Sequence, residues 1–306
     1  MTTAVQSSWV ALVGNPNSGK TAIFNLLTGL NQKVSNYPGV TVEKKTGQAR
    51  FADGSKFYIL DLPGTYSLTA ESMDERIVTE QVLNWIHGHE PPGVIVSVVD
   101  ATNLSRNLYL TTQLADLGIP VVVALNMMDM VKDEIKIDLE KLANDLGIAA
   151  IVPMSATEKW GQKELLEAVQ KSIDTAFVEN PFPIFLNDDI SKVLNPLEEI
   201  FKSQLRYNER LAKAQALRLV TRQSTLEIYD EMSANGFTAD EAFMNILRDK
   251  RQAAVDLLED TGIKHRIMEA TLRYEWLDSV LTAAKINIDP QIAEANYSEN
   301  LDRILT

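Results

Sequence analysis

The sequence predicts an α/β fold, a mostly parallel sheet with flanking helices, followed by an all-α helical bundle. Three observations predict it. Short apolar runs at 10–13, 57–60, 94–99, 121–125 and 151–154 alternate with helical patterns, the rhythm of parallel strands joined by crossover helices. Polar motifs close several of these runs, at the strand ends where open sheets of this class bind ligands. Twelve of the fourteen glycines fall before Asn180, and beyond Pro181-Phe182-Pro183 the pattern is helical throughout.

The first run enters Gly14-Asn15-Pro16-Asn17-Ser18-Gly19-Lys20-Thr21, a phosphate-binding loop between a strand and a helix. Its glycines let backbone N–H groups turn inward around the α- and β-phosphates. Lys20 is expected on the β/γ oxygens and Thr21 on Mg²⁺. Asn15, Asn17, Ser18, Gly19, Lys20, Thr21 and Ala22 are the expected nucleotide contacts of this segment. The expected fold of the whole unit is a P-loop NTPase domain with the sheet of a Ras-like G domain.

The second run ends in Asp61-Leu62-Pro63-Gly64. Asp61 is expected to reach Mg²⁺ through a water, and the Gly64 N–H to contact the γ-phosphate, making this loop a nucleotide-dependent switch. The other switch is expected over 31–41, between the first helix and the following strand, with Thr41 ligating Mg²⁺ when the triphosphate is bound. Asn17, Lys20, Thr41 and Gly64 are the expected catalytic positions. Thr65 stands where regulatory GTPases often place the Gln that orients the attacking water, so charge stabilisation must come from elsewhere or hydrolysis is slow.

The fourth run ends in Asn126-Met127-Met128-Asp129 and the fifth in Ser155-Ala156-Thr157. Asp129 can accept two hydrogen bonds from guanine N1–H and the 2-amino group, a donor pair adenine lacks, so GTP and GDP are the expected ligands. Asn126 is expected to tie this loop to the phosphate loop. Met127 takes a position where many relatives carry Lys, keeping the apolar packing on the base without the charge. The Ser155 and Ala156 N–H groups, with Thr157 beside them, are expected near the guanine oxygen.

Past the α/β unit, candidate helices run over 190–207, 211–232 and 239–260. From His265 onward, Ile267, Ala270, Tyr274, Leu277, Leu281 and Ala284 recur at steps of three and four, the stripe of an amphipathic helix. The predicted division is 1–180 for the nucleotide-binding domain, 181–285 for the helical domain and 286–306 for one more helical segment. Trp276 is a candidate for the domain interface, and Glu43 and Tyr66 for contacts with the helical part.

Composition narrows the partners. The 306 residues, 45% hydrophobic and 23% charged, are ordinary for a globular protein of two domains. A net charge of -13 argues against nucleic acid and against an anionic membrane surface. Without cysteine there is no disulfide framework and no thiolate metal site. The first nine residues lack the parts of a signal peptide, and no apolar stretch reaches the roughly 18 to 20 residues of a membrane span, so the segment is expected to be soluble. His87, His89 and His265 form no recognisable metal cluster.

Together Gly14 to Thr21, Val34-Ser35-Asn36-Tyr37-Pro38-Gly39-Val40-Thr41-Val42-Glu43, Asp61-Leu62-Pro63-Gly64-Thr65-Tyr66-Ser67-Leu68 and Asp100-Ala101-Thr102-Asn103-Leu104-Ser105-Arg106-Asn107-Leu108-Tyr109-Leu110 resemble the cytosolic N-terminal region of the bacterial ferrous-iron transporter FeoB. The likeness spans 8 to about 175, and more loosely the helical part through Arg273-Tyr274-Glu275. It implies a GTPase domain, a helical domain that slows GDP release, and a membrane permease in the same longer chain. The expected location is then the cytoplasmic side of the bacterial inner membrane, with self-association of the segment a further expectation.

The resemblance also implies a potassium-activated GTPase. Asn17 would help ligate K⁺ beside the phosphates, with backbone carbonyls near Ser35 and Tyr37 completing the site and the cation replacing the charge of an arginine finger. Two other readings fit the motifs: a ribosome- or RNA-associated GTPase, which the acidity disfavours, and a nucleotide-binding module with negligible turnover, which Thr65 allows.

Overall fold

The computed structural model describes residues 9–30, 32–37, 41–69, 72–87, 90–131, 137–175, 180–234 and 241–285. Seven strands, β1 (Trp9–Gly14), β2 (Gln32–Asn36), β3 (Glu43–Arg50), β4 (Lys56–Asp61), β5 (Val94–Asp100), β6 (Val121–Asn126) and β7 (Ala150–Pro153), form one sheet in the order β2-β3-β4-β1-β5-β6-β7. β1 lies parallel to both β4 and β5, and β5–β6 and β6–β7 are parallel pairs. β2 and β3 add an antiparallel hairpin on β4.

Parallel strands buried on both faces read as unbroken apolar runs. β1 shows the consequence: Val10 and Leu12 face one core, with Ile23 and Phe24 of α1 (Lys20–Thr28), while Ala11 and Val13 face the other. The remaining helices around the sheet are α2 (Met73–Ile86), α3 (Leu104–Ala115), α4 (Met128–Val131), α5 (Leu139–Leu146) and α6 (Gln162–Asp174). α6 covers the face of α1 with Leu165 and Val169. α2 starts at a capping box, Ser72 accepting from the Glu75 N–H and the Glu75 carboxylate accepting from the Ser72 N–H.

The helical part comprises α7 (Asp188–Leu205), α8 (Glu209–Thr221), α9 (Gln223–Ala234), α10 (Glu241–Asp260) and α11 (His265–Ala284). Its interior is continuous with the core on the α2–α3 side: Leu194, Leu217, Leu247 and Leu277 belong to the same buried cluster as Ala11, Ile95 and Val123.

The structure corrects the expectations in three places. The 31–41 interval contains a strand, β2, whose five residues are all exposed; it carries no apolar run and exists through backbone pairing with β3, as at Val34 opposite Lys45. The 211–232 helix is two helices, broken at Arg222, whose φ of -134° and ψ of 125° are extended. The buried face of α11 is offset from the anticipated stripe. Ile267, Ala270 and Tyr274 are half-buried, and the fully buried positions include Glu269 and Arg273 beside Met268, Leu277, Val280, Leu281 and Ala284. The 286–306 segment, Pro38 to Val40 and His89 lie outside the described residues. Among the described residues no helix is long and apolar enough to cross a membrane, and no cluster of His, Asp and Glu could hold a metal ion.

Candidate functional site

The phosphate loop turns through two left-handed residues, Asn17 (φ 65°) and Gly19 (φ 86°), and is pinned by the Ser18 N–H donating to the Asn15 carbonyl at 3.2 Å. Successive N–H groups are thereby turned to one side, the backbone nest that anions occupy. Gly19 is obligatory: a Cβ there would sit 2.1 Å from Asn126 Nδ2. The Asn15 Oδ1 and Ser18 Oγ atoms are buried in this loop with no hydrogen-bond partner among the described residues. Asn17, Thr21 and Ala22 are exposed at its mouth.

Lys20 opens α1 and is ion-paired with Asp61 at the end of β4. Burial pushes the Asp61 carboxyl above the usual carboxylate range, and the Lys20 ammonium beside it works against that rise. Thr21, one residue on, and Asp61 offer the hard oxygen donors that Mg²⁺ takes, and Asp61 already has a cation as its neighbour, so the set fits the metal. Thr41 is exposed just before β3, and among the described residues no hydrogen bond or ion pair joins it to Thr21 or Asp61. Gly64 packs on the phosphate loop, where an added Cβ would come within 3.2 Å of Pro16 Cα. The Thr65 N–H donates to the Gly14 carbonyl at 3.2 Å, and its hydroxyl donates to the Ser67 carbonyl at 2.6 Å. Thr65 is 1% exposed, and its side chain closes a turn.

Asn126 is the joint of the base side. Its Nδ2 donates to the Ser18 carbonyl and its Oδ1 accepts from the Ala156 N–H, both at 3.0 Å. Met127 is left-handed (φ 63°), and its Cε lies near Gly19, roofing the loop with apolar surface. Asp129 sits half-buried in the first turn of α4. The Ser155 and Ala156 N–H groups depart from expectation: the first donates to the Trp160 carbonyl at 3.2 Å and the second to Asn126. Both are engaged within the protein, the first by the 155–160 turn closing on itself and the second by Asn126, and Thr157 is exposed beside them.

For the proposed cation site, Ser35 lies within β2 opposite Lys44, and the Tyr37 N–H donates to the Val42 carbonyl at 2.9 Å. The Tyr37 ring is buried with Lys44 over it at 5.7 Å, and burial, with Asp61 adding to it, holds its hydroxyl far above the usual range. Among the described residues, no hydrogen bond joins Asn17 to this hairpin.

The contacts between the switch side and the helical part are not the anticipated ones. Tyr66 meets the Arg106 guanidinium of α3 at 4.4 Å, whereas α2 reaches the helical part through an Arg76–Glu231 ion pair and a His87–Tyr207 contact at 3.2 Å. A buried charge cluster went undetected in the sequence. Arg273 donates to Asp116 at 2.6 Å and to Glu269 at 2.9 Å, and Arg210 donates to Asp116 at 3.0 Å. Nothing in local spacing signals it, since Asp116 and Arg273 are 157 positions apart.

A seven-stranded, mostly parallel sheet with this loop, Asp61 and the Asn126–Asp129 turn at one edge defines a P-loop G domain, a guanine-nucleotide-binding unit. The chain belongs to the family described as Ferrous iron transport protein B, whose family model matches residues 8–169. The Fe(2+) transporter FeoB of Salmonella typhimurium is 46% identical over 170 residues, covering 54% of this chain and 21% of its own length. This chain therefore spans about a fifth of that relative. The cytosolic domain of L. pneumophila FeoB superposes with a TM-score of 0.73 at 34% identity, covering 91% of this chain and 100% of that one. An S. thermophilus NFeoB mutant bound to mGDP superposes with a TM-score of 0.72 at 31% identity, over 91% and 100% of the two chains.

Proposed function

We propose that this chain binds and hydrolyses GTP, and that the resulting change regulates or drives ferrous-iron uptake by a permease region of the same longer protein, on the cytoplasmic side of the bacterial inner membrane. The observation that carries the nucleotide reading is the Asn126 bridge, which couples the phosphate loop to the 155–160 turn. In this reading Lys20 leaves Asp61 for the phosphates. Asp61, Thr21 and Thr41 would hold Mg²⁺, which would screen the phosphate charge. Asn17, with carbonyls near Ser35 and Tyr37, would hold K⁺, a reading supported by the left-handed turn that leaves Asn17 exposed at the loop mouth. The division at about residue 180 assigns nucleotide chemistry to the sheet and control of GDP release to the helices.

Turnover of GTP with Mg²⁺, measured in KCl and in NaCl, tests this. Faster release of phosphate in KCl, lost in Asn17→Ala, is the expected result. Equal rates in the two salts sink the potassium assignment; no turnover in either leaves only a nucleotide-binding module. Fusion to the following membrane region and assay of ⁵⁵Fe uptake tests the transport role, and sedimentation with and without nucleotide tests self-association.

A further inference from the structure

Helix α3 touches the switch side and the helical part with one face. Residues 106, 109 and 113 are neighbours on that face. The Arg106 guanidinium covers the Tyr66 ring at 4.4 Å, Tyr109 stacks on Tyr274 of α11 at 4.9 Å, and Gln113 lies between Leu68 and Glu269. The Leu68 N–H donates to Gln113 Oε1 at 2.7 Å, and Gln113 Nε2 donates to Glu269 Oε1 at 2.9 Å. The same Glu269 oxygen accepts from Arg273. Leu68 and Gln113 are fully buried and Glu269 nearly so. A backbone N–H only donates and an ionised carboxylate only accepts, so the primary amide is the group that satisfies both at once and in one orientation.

We propose that Gln113 is a positioning residue that ties the segment following Asp61–Gly64 to α11, so that movement of that loop with nucleotide and the packing of α11 shift together. The proposal rests on the nucleotide reading above. Leu68 lies four residues past Gly64, and its amide has no water to turn to in this interior. Displacing it breaks the Gln113 bond and strands buried polar groups unless Gln113 and α11 follow. Beyond Glu269 the chain of contacts continues through Arg273 to Asp116 and Arg210, so the displacement reaches α8 as well.

The test is release of a fluorescent GDP from the 306-residue protein and three variants, with melting temperatures recorded beside it. In Gln113→Glu the Leu68 bond survives but two carboxylates face each other; GDP release accelerates about fivefold or more, the low end of ordinary coupling energies. Glu269→Gln keeps an acceptor for Gln113, so release stays within about twofold of the parent although the protein melts lower. The double variant restores donor and acceptor in exchanged order and returns release to within about twofold. If Gln113→Glu does not fold, Gln113→Asn, one methylene too short to span both partners, replaces it. Release unchanged in the Gln113 variant, an equal acceleration in Glu269→Gln alone, or no recovery in the double variant each overturns the relay. A parent that binds no GDP overturns the nucleotide reading, and the relay with it.

Discussion

Lys20 and Asp61 are ion-paired beside the phosphate loop, the ammonium proposed for phosphate held by the carboxylate proposed for the metal. A buried pair of this kind is strongly unfavourable to break from one side, because the remaining charge has no water to return to. In the proposed function nucleotide and Mg²⁺ would together supply each of the two with an alternative partner.

Asp61→Asn should therefore weaken Mg²⁺-dependent GTP binding by about tenfold or more, since a charge-assisted contact is removed, while GDP binding without Mg²⁺ changes less. Calorimetric titration with and without the metal checks this. Equal losses in both titrations contradict it.

Asn126→Ala should lower stability by about 2 to 4 kcal/mol, because it leaves the Ala156 N–H and the Ser18 carbonyl without their buried partner. Gly19→Ala should weaken nucleotide binding through the same joint, as its Cβ displaces the Asn126 amide. Urea melts and GDP affinity report the two effects. Wild-type affinity in Gly19→Ala contradicts the geometry.

Glu269 carries a pH dependence. Burial works to raise its pKa, but Arg273, Arg218 and the Gln113 amide hold it below the usual 4.5. A depressed folded value means that its contribution is complete above 4.5 and is lost as pH falls through the folded value. Urea melts from about pH 6 down to about pH 3 should show a shallower acid limb in Glu269→Gln than in the parent. Arg273→Met, which removes the cation that Asp116 and Glu269 share, should cost about 3 to 5 kcal/mol at neutral pH.

Thr65→Ala should leave GTP turnover within about threefold, because its hydroxyl is committed to a local turn through Ser67. Thr65→Gln should not gain activity: the site is enclosed, and a longer side chain overpacks it. A tenfold rise in either variant would contradict the placement of this residue.

The strands that were legible were those whose physics is local. β1, β5 and β6 are buried on both faces and announce themselves as apolar runs. β2 was illegible because all five residues are exposed and its cohesion is backbone pairing with a strand seven or more residues away. The break at Arg222 was missed because the apolar pattern of α8 continues into α9, and periodicity does not register a single extended residue.

By itself the sequence determined the phosphate loop and the order of the strand-end motifs, since each motif depends on residues within a few positions of one another. The tertiary structure decided which of those groups meet. It paired Lys20 with Asp61, spent the Ser155 and Ala156 N–H groups inside the protein, and put Glu269 and Arg273 where an apolar stripe was expected. A buried charge is tolerable only when partners converge on it from distant segments, here α3, α8 and α11, and convergence of that kind is a property of the packed chain with no counterpart in local spacing.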